Sequence, residues 1–75
     1  MNHVILRDEK IGDAKFLIVH TYQTGRRGVY FVWRKTAGGL DRVGFTENLA
    51  DLSRLWNLAT GEPLAGPLGD GVHYA

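Results

Sequence analysis

Apolar side chains follow one another without regular polar interruption in two neighbouring segments, residues 16–22 and 29–34. A strand with one buried face alternates apolar and polar residues, whereas these segments are apolar at both odd and even positions. Both are rich in aromatic and β-branched residues, which favours β-strands over residues 15–22 and 29–35. We therefore expect a hairpin that is apolar on both of its faces.

Turn-forming residues separate this hairpin from two shorter strands. Residues 3–6 form a β-prone run that leads through a charged stretch to Gly12-Asp13, a pair that predicts a turn. Residues 23–28 predict the loop of the central hairpin. Gly38-Gly39 suits the central pair of a tight turn into a strand at residues 40–45. The pattern predicts a meander of three or four antiparallel strands.

The spacing of apolar residues changes to a helical period after Thr46, which we interpret as an N-cap. Gly61 suits the position after the last helical residue, and Pro63 prevents continuation, so we expect a helix over residues 47–60. One face of that helix carries Leu49, Leu52, Leu55, Trp56 and Ala59. Leu58 points away from this stripe.

The pairing of the central hairpin decides which side chains share a face. We take Tyr22 to pair with Val29. One face then carries an aromatic-rich set: Phe16, Ile18, His20, Tyr22, Val29, Phe31 and Trp33. The other carries Leu17, Val19, Thr21, Tyr30 and Val32, together with Val43 and Phe45. The helix has apolar residues for one face only. We expect it to cover the second, which leaves the aromatic-rich face for another occupant.

Together these elements predict an α+β fold, a small two-layer domain with a three- to four-stranded antiparallel meander and one C-terminal helix packed on one face. The chain has 75 residues and begins with Met, which we interpret as one complete domain. We expect residues 1–61 to form it and residues 62–75 to be an irregular tail rich in Gly and Pro. The tail's apolar residues leave two alternatives, since it either wraps back over Leu58 and the sheet edge or reaches a partner.

The charge balance is close to neutral, with nine Lys and Arg against eight Asp and Glu. Bulk charge therefore does not indicate a nucleic-acid or membrane partner. The chain has no cysteine, which excludes disulfides and thiolate metal sites. No signal peptide and no apolar run long enough to span a bilayer is visible, so we expect a cytoplasmic protein.

Residues that could carry catalysis are poorly placed for it. Ser53 is the single serine and lies within the predicted helix, without the glycine-rich elbow of a nucleophile. His3, His20 and His73 show no metal-ligand spacing, and the glycine-rich segments match no nucleotide-binding fingerprint. The carboxylates lie in turns or on the polar helix face. We therefore expect no enzyme activity, no cofactor and no metal.

The basic residues of the meander support one binding hypothesis. They are Arg26, Arg27, Arg34, Lys35 and Arg42, with Lys15 at the far end. In topology, a β-meander that presents such residues beside a helix resembles the arm-binding DNA-binding domains of integrases. That resemblance implies a sheet lying in the major groove of DNA. A DNA-binding regulatory protein is therefore the alternative function.

A protein partner is the function we favour from the sequence, because Trp, Tyr and Arg are enriched at interface hot spots. The hairpin clusters such residues: Tyr22, Arg26, Arg27, Tyr30, Phe31, Trp33 and Arg34. We expect a small inhibitor or adaptor that acts by steric occlusion, similar in size and in its lack of catalytic motifs to small proteins of phages and mobile elements. A homodimer through the aromatic face is a further option. So is a monomer whose N-terminal strand or tail covers that face.

Overall fold

The computed structural model describes residues 2–23, 25, 28–65 and 72–74. In chain order the elements are β1 (Asn2–Ile11), β2 (Ala14–Tyr22), β3 (Val29–Thr36), β4 (Gly39–Thr46), α1 (Leu49–Thr60) and β5 (Val72–Tyr74). The strands form one antiparallel sheet in the order β4-β3-β2-β1-β5, and α1 packs on one of its faces. The predicted α+β fold, a three- to four-stranded meander followed by a helix, is confirmed with four strands in the meander, and β5 adds a short edge strand.

Strand β1 continues through the charged stretch that we expected to follow it. Gly12 takes a positive φ of 64°, so that Gly12-Asp13 closes a two-residue turn and Ile11 pairs with Ala14. The charged residues of β1 therefore have pairing partners on β2. One of them, Asp8, forms an ion pair with Lys15 at 3.5 Å.

The start of α1 differs from the prediction, whereas its end agrees. Asn48 is the N-cap, and its side chain accepts a hydrogen bond from the Ala50 amide at 2.8 Å. Thr46 is the last residue of β4, so it is not the N-cap, and its hydroxyl accepts from the Asn48 amide at 3.1 Å. Gly61 ends the helix with φ 77° and donates to Asn57 at 2.8 Å. At 12 residues, α1 is neither long nor apolar enough to cross a membrane.

The predicted register of the central hairpin is wrong by one residue. Thr21, not Tyr22, pairs with Val29, and Ile18 consequently pairs with Val32. Because side chains alternate along a strand, this shift moves every β3 side chain to the opposite face. The connection between the paired positions holds one residue more than we assumed, and no sequence signal in it fixes that length.

The helix consequently covers a different face from the one predicted. The buried core consists of Phe16, Ile18, Val32, Leu52 and Trp56. The Phe16 and Trp56 rings meet edge to face, with centroids 6.2 Å apart. Leu49, the first residue of the predicted apolar stripe, lies outside this core and is 55% exposed. The helix thus seals the side of β2 that carries Phe16 and Ile18, not the side that carries Leu17 and Val19.

A glycine sets how closely α1 approaches β4. A Cβ built on Gly44 would lie 2.7 Å from Cδ1 of Leu55, well inside van der Waals contact. The absent side chain therefore leaves the space that Leu55 occupies. Gly44 pairs with Val32 of the core, so this close approach lies directly beside the buried cluster.

The part of the tail that the structure describes returns to the sheet. Leu64 packs against the core, and the Ala65 carbonyl accepts a hydrogen bond from Arg7 at 2.9 Å. Further on, β5 pairs with β1, with Val72 opposite Ile5. The expected irregular tail therefore contains a regular strand. It follows the sheet edge rather than Leu58, which stays 78% exposed. Leu68 lies outside the described residues.

Candidate functional site

The surface opposite α1 is the candidate site, and we call it the open face. Cross-strand pairing assigns to it the central positions Ile5, Leu17, Val19, Thr21, Val29, Phe31, Trp33, Arg42 and Phe45. The same pairing adds His3, Asp8, Lys10, Lys15, Lys35 and Leu40 around them. Among the described elements none covers this face, because α1 packs on the other side and β5 extends the edge of the sheet.

Exposure distinguishes the open face from the covered one. Ile18 and Val32 on the covered face are both 0% exposed. Phe45 and Leu40 on the open face are 62% and 54% exposed, and Phe31 and Trp33 are half-buried. The open face thus presents large apolar side chains to solvent on adjacent strands. Such a contiguous apolar patch is typical of an interaction site, whereas single exposed apolar residues are common on any protein surface.

A cation lies over the aromatic part of the open face. The guanidinium carbon of Arg42 lies 5.7 Å from the centroid of the Phe31 ring and 5.5 Å from that of Phe45. The two rings are themselves 6.0 Å apart. A cation–π contact at an exposed site contributes about 0.5–1 kcal/mol. The two rings therefore hold the Arg42 side chain near the sheet, where it presents hydrogen-bond donors beside an apolar surface.

A depression of about 270 Å³ lies within the open face. Its lining residues are His3, Val19, Thr21, Phe31, Trp33 and Arg42. His3 Nδ1 and the Thr21 hydroxyl are hydrogen-bonded at 3.1 Å, which orders one side of it. Sites for drug-sized molecules usually occupy about 300–1,000 Å³ and enclose most of the ligand. This smaller, open depression is better suited to one inserted side chain of a partner.

The structure divides the predicted partner-binding residues between the two faces. Phe31 and Trp33 lie on the open face, and the sequence analysis also placed both on the face that it expected to lack the helix. Tyr22, Tyr30 and Arg34 lie on the face that α1 covers. Arg26 and Arg27 lie outside the described residues. The predicted set therefore does not form one surface, because Tyr30 alternates with Phe31 along β3 and the register shift separates Tyr22 from Phe31 and Trp33.

The residues of the nucleic-acid alternative are divided in the same way. Lys35 and Arg42 lie on the open face. Arg34 lies on the covered face and forms an ion pair with Asp41 at 3.6 Å. A DNA-binding interface made from all three would need them on one side of the sheet.

His20 lies beyond the main core on the covered face. Its ring stacks on Tyr30, with centroids 4.3 Å apart, and lies 5.3 Å from Tyr22. A Cβ on Gly28 would collide with His20 Nε2, so the glycine makes room for the ring. Burial lowers the pKa of His20 below its usual value. His20 is thus a packed aromatic, and no potential metal cluster occurs within the described part of the chain.

Sequence reasoning missed several residues of the open face. It assigned Leu17, Val19, Thr21 and Phe45 to the helix side, and it assigned Lys10 and the depression-lining His3 to no face. Treating Gly12-Asp13 as a two-residue hairpin loop would have placed Lys10 opposite Lys15. Phe45 was assigned to the helix side because we took Gly38-Gly39 as the central pair of its turn. The loop is Ala37-Gly38, and a bulge at residue 43 places Phe45 opposite Phe31.

A scan against protein-family models, a search of curated proteins and a search of solved structures each found no match for this chain.

Proposed function

We propose that this chain is a cytoplasmic, non-enzymatic protein-binding module that docks a partner on its open face and acts by steric occlusion, as an inhibitor or adaptor. The main supporting observation is the apolar surface of Phe31, Trp33 and Phe45, which no described element covers. Burying these side chains is not required to complete the domain's own core, because that core lies on the opposite face.

The composition of the open face supports a protein partner. Binding energy at protein interfaces concentrates in Trp, Tyr and Arg side chains around small desolvated pockets. Trp33 and Arg42 both line the depression, so a partner side chain inserted there would contact an indole and a guanidinium together. Arg42 is already held by two aromatic rings, which reduces the conformational entropy that binding would remove.

The size of the open face indicates the kind of complex. Four strands at about 4.8 Å spacing and about eight residues at 3.3 Å each give a surface of roughly 500 Å². A standard stable complex buries about 800 Å² on each partner, and obligate dimers bury more. Because the relief of the side chains adds accessible surface to this flat footprint, we propose a complex of about standard size, in which Trp33 and its surroundings supply most of the affinity.

The proposal is tested by quantitative affinity capture from a lysate of the source cells, treated with nuclease. The baits are the unmutated chain, Trp33→Ala on the open face and Leu58→Ala on the exposed side of α1. Trp33→Ala should weaken capture of the same partner by about 2 kcal/mol, roughly 30-fold, as expected for a hot-spot residue. Leu58→Ala should not, because Leu58 is apolar and 78% exposed but lies away from the open face.

Three results would contradict the proposal. Equal capture by all three baits would place the interface elsewhere. A concentration-dependent dimer in light scattering, abolished by Trp33→Ala, would make a second copy the occupant. The nucleic-acid alternative would be favoured if material captured from untreated lysate were lost after nuclease treatment. It would also require that the chain shift DNA in a gel in a salt-sensitive way and that Arg42→Ala weaken this binding.

A further inference from the structure

Three lysines form a row across the open face. Lys10 on β1 lies directly opposite Lys15 on β2, and Lys15 lies directly opposite Lys35 on β3. Like charges at directly opposed positions of a sheet destabilise it. Asp8 partly compensates, through its ion pair with Lys15 at 3.5 Å. Among the described residues, Lys10 and Lys35 have no ion-pair partner within 4.0 Å. The fold thus places three cations in one row and pairs only the central one, Lys15, with a carboxylate.

The charges of the two layers are opposite in sign. The open face carries four cations, Lys10, Lys15, Lys35 and Arg42, against the single carboxylate of Asp8. The helix and its flanks, residues 47–62, carry three carboxylates against one arginine. The near-neutral net charge of +1 therefore conceals a basic open face and an acidic helix layer. A partner of the open face meets positive charge at one end of an apolar surface.

We propose that the segment that docks on the open face is an acidic stretch of a partner protein. Its carboxylates would lie over the row of Lys10, Lys15 and Lys35, while an apolar side chain enters the depression beside Trp33. This inference rests on the proposed protein-binding function and adds the chemistry of the partner. It also explains why Lys10 and Lys35 have no ion-pair partner among the described residues, since the bound segment supplies the anions.

A second copy of this chain matches the open face less well. Its own open face would bring four further cations and only Asp8, which is already paired with Lys15. A nucleic acid is disfavoured because its affinity depends on many phosphate contacts, whereas this face offers three lysines and one arginine. A short acidic peptide needs only a few carboxylates to match them.

The test is selection from a displayed library of random peptides of about 12 residues, which span about 40 Å when extended. The unmutated chain and the Lys10→Glu/Lys35→Glu variant are used as targets in parallel. The unmutated chain should enrich peptides that combine Asp or Glu with a large apolar residue. The variant should bind those peptides at least about tenfold more weakly, and raised salt should weaken their binding to the unmutated chain.

The same variant separates binding from folding. Replacing the two outer lysines of the row with glutamate leaves Lys15 between two negative charges, so that opposed positions attract instead of repelling. The melting temperature should therefore rise or stay unchanged while peptide binding falls. Arg54→Glu on α1 is the matched control for the single variant Lys35→Glu, because both change the net charge by the same amount. Only Lys35→Glu should weaken binding.

The outcomes separate this inference from the proposed function. Selected peptides whose binding requires Trp33 but which show no excess of Asp and Glu would contradict the proposal of an acidic partner. They would still support the protein-binding function. If the selection yields no peptide whose binding depends on Trp33, both the acidic partner and the proposed function are contradicted. Tighter binding of fluorescein-labelled oligothymidine than of any selected peptide, lost in Lys10→Glu/Lys35→Glu, would replace the acidic segment with single-stranded nucleic acid.

Discussion

The two faces of the sheet use similar side chains for different purposes. On the covered face, Trp56 of α1 is 1% exposed and packs on Phe16, and the glycine at residue 44 lets the helix approach closely. On the open face, Trp33 and Phe45 lie beside Arg42 with no described element above them. The comparison shows that apolar character alone does not identify the core of this domain. The core is the apolar face that the helix covers, and the second apolar face remains available for binding.

The matched tryptophans give the largest expected contrast between the two faces. Trp56→Ala should lower the free energy of unfolding by about 3–5 kcal/mol, because it leaves a cavity where the indole is fully buried. Trp33→Ala should lower it by less, about 1–2 kcal/mol, since Trp33 is only partly buried and no helix packs over it. Urea denaturation followed by circular dichroism measures both.

A small domain can lose its fold altogether with Trp56→Ala, so Trp56→Phe serves as a milder variant. Trp56→Phe keeps an aromatic ring against Phe16 and should destabilise less than Trp56→Ala but more than Trp33→Ala. If Trp33→Ala destabilised the domain as much as the Trp56 variants, the open face would be part of the core and the comparison would fail.

The close approach of α1 to β4 provides the next contrast. Gly44→Ala should cost about 1–3 kcal/mol, because the new methyl group overlaps Cδ1 of Leu55. In the double variant Gly44→Ala/Leu55→Ala the overlap is removed, so its destabilisation should be smaller than the sum of the two single ones. Additive effects in urea denaturation would mean that Leu55 does not fill the space above Gly44.

The sequence predicted the elements of this fold better than it predicted their faces. The end of α1 at Gly61 and the turn at Gly12-Asp13 follow from local chemistry that acts within a few residues. The face of each β3 side chain depends instead on the exact length of the loop before Val29, and the face of Phe45 on β4 depends on the bulge at residue 43. Neither leaves a distinct local signal, and an error of one residue exchanges the two faces.

The same limitation affected the candidate site. A hairpin with two apolar faces correctly predicted that one face would lack a helix, and Phe31 and Trp33 were correctly placed on it. Tyr22 was placed on the same face because we took it to pair with Val29, whereas Thr21 has that partner and Tyr22 lies on the covered side with Tyr30. The lysine row was missed because the charged stretch of residues 7–10 was expected to follow the first strand and not to be part of it.

The edge of the covered face should respond to pH through His20. Burial lowers the pKa of His20, so the folded protein binds this proton more weakly than the unfolded chain does. The stability contributed by neutral His20 is therefore fully present above the ordinary value of 6.5 and decreases as the pH falls below it. His20→Phe retains a ring beside Tyr30 but cannot titrate, so its unfolding free energy should fall less on acidification.

The measurement is urea denaturation of both proteins at several pH values. Above about pH 7.5 His20 is neutral in both the folded and the unfolded chain, so the unfolding free energies of the two proteins should differ by a constant amount. Below about pH 6.5 the unfolding free energy of the unmutated chain should fall more than that of His20→Phe. Parallel pH profiles throughout would show that His20 titrates alike in the folded and unfolded states, and hence that stacking against Tyr30 does not bury it.

The smallest expected effect on stability lies at the exposed edge of the open face. Phe45→Thr keeps a strand-favouring residue on β4 and removes a side chain that is 62% exposed. The unfolding free energy should change by less than about 1 kcal/mol, mostly through the lost contacts with Arg42 and Phe31. Binding of the peptides selected on the open face should nevertheless weaken, because the partner loses an aromatic contact. A variant that binds normally would exclude Phe45 from the interface and confine docking to the depression beside Trp33 and Arg42.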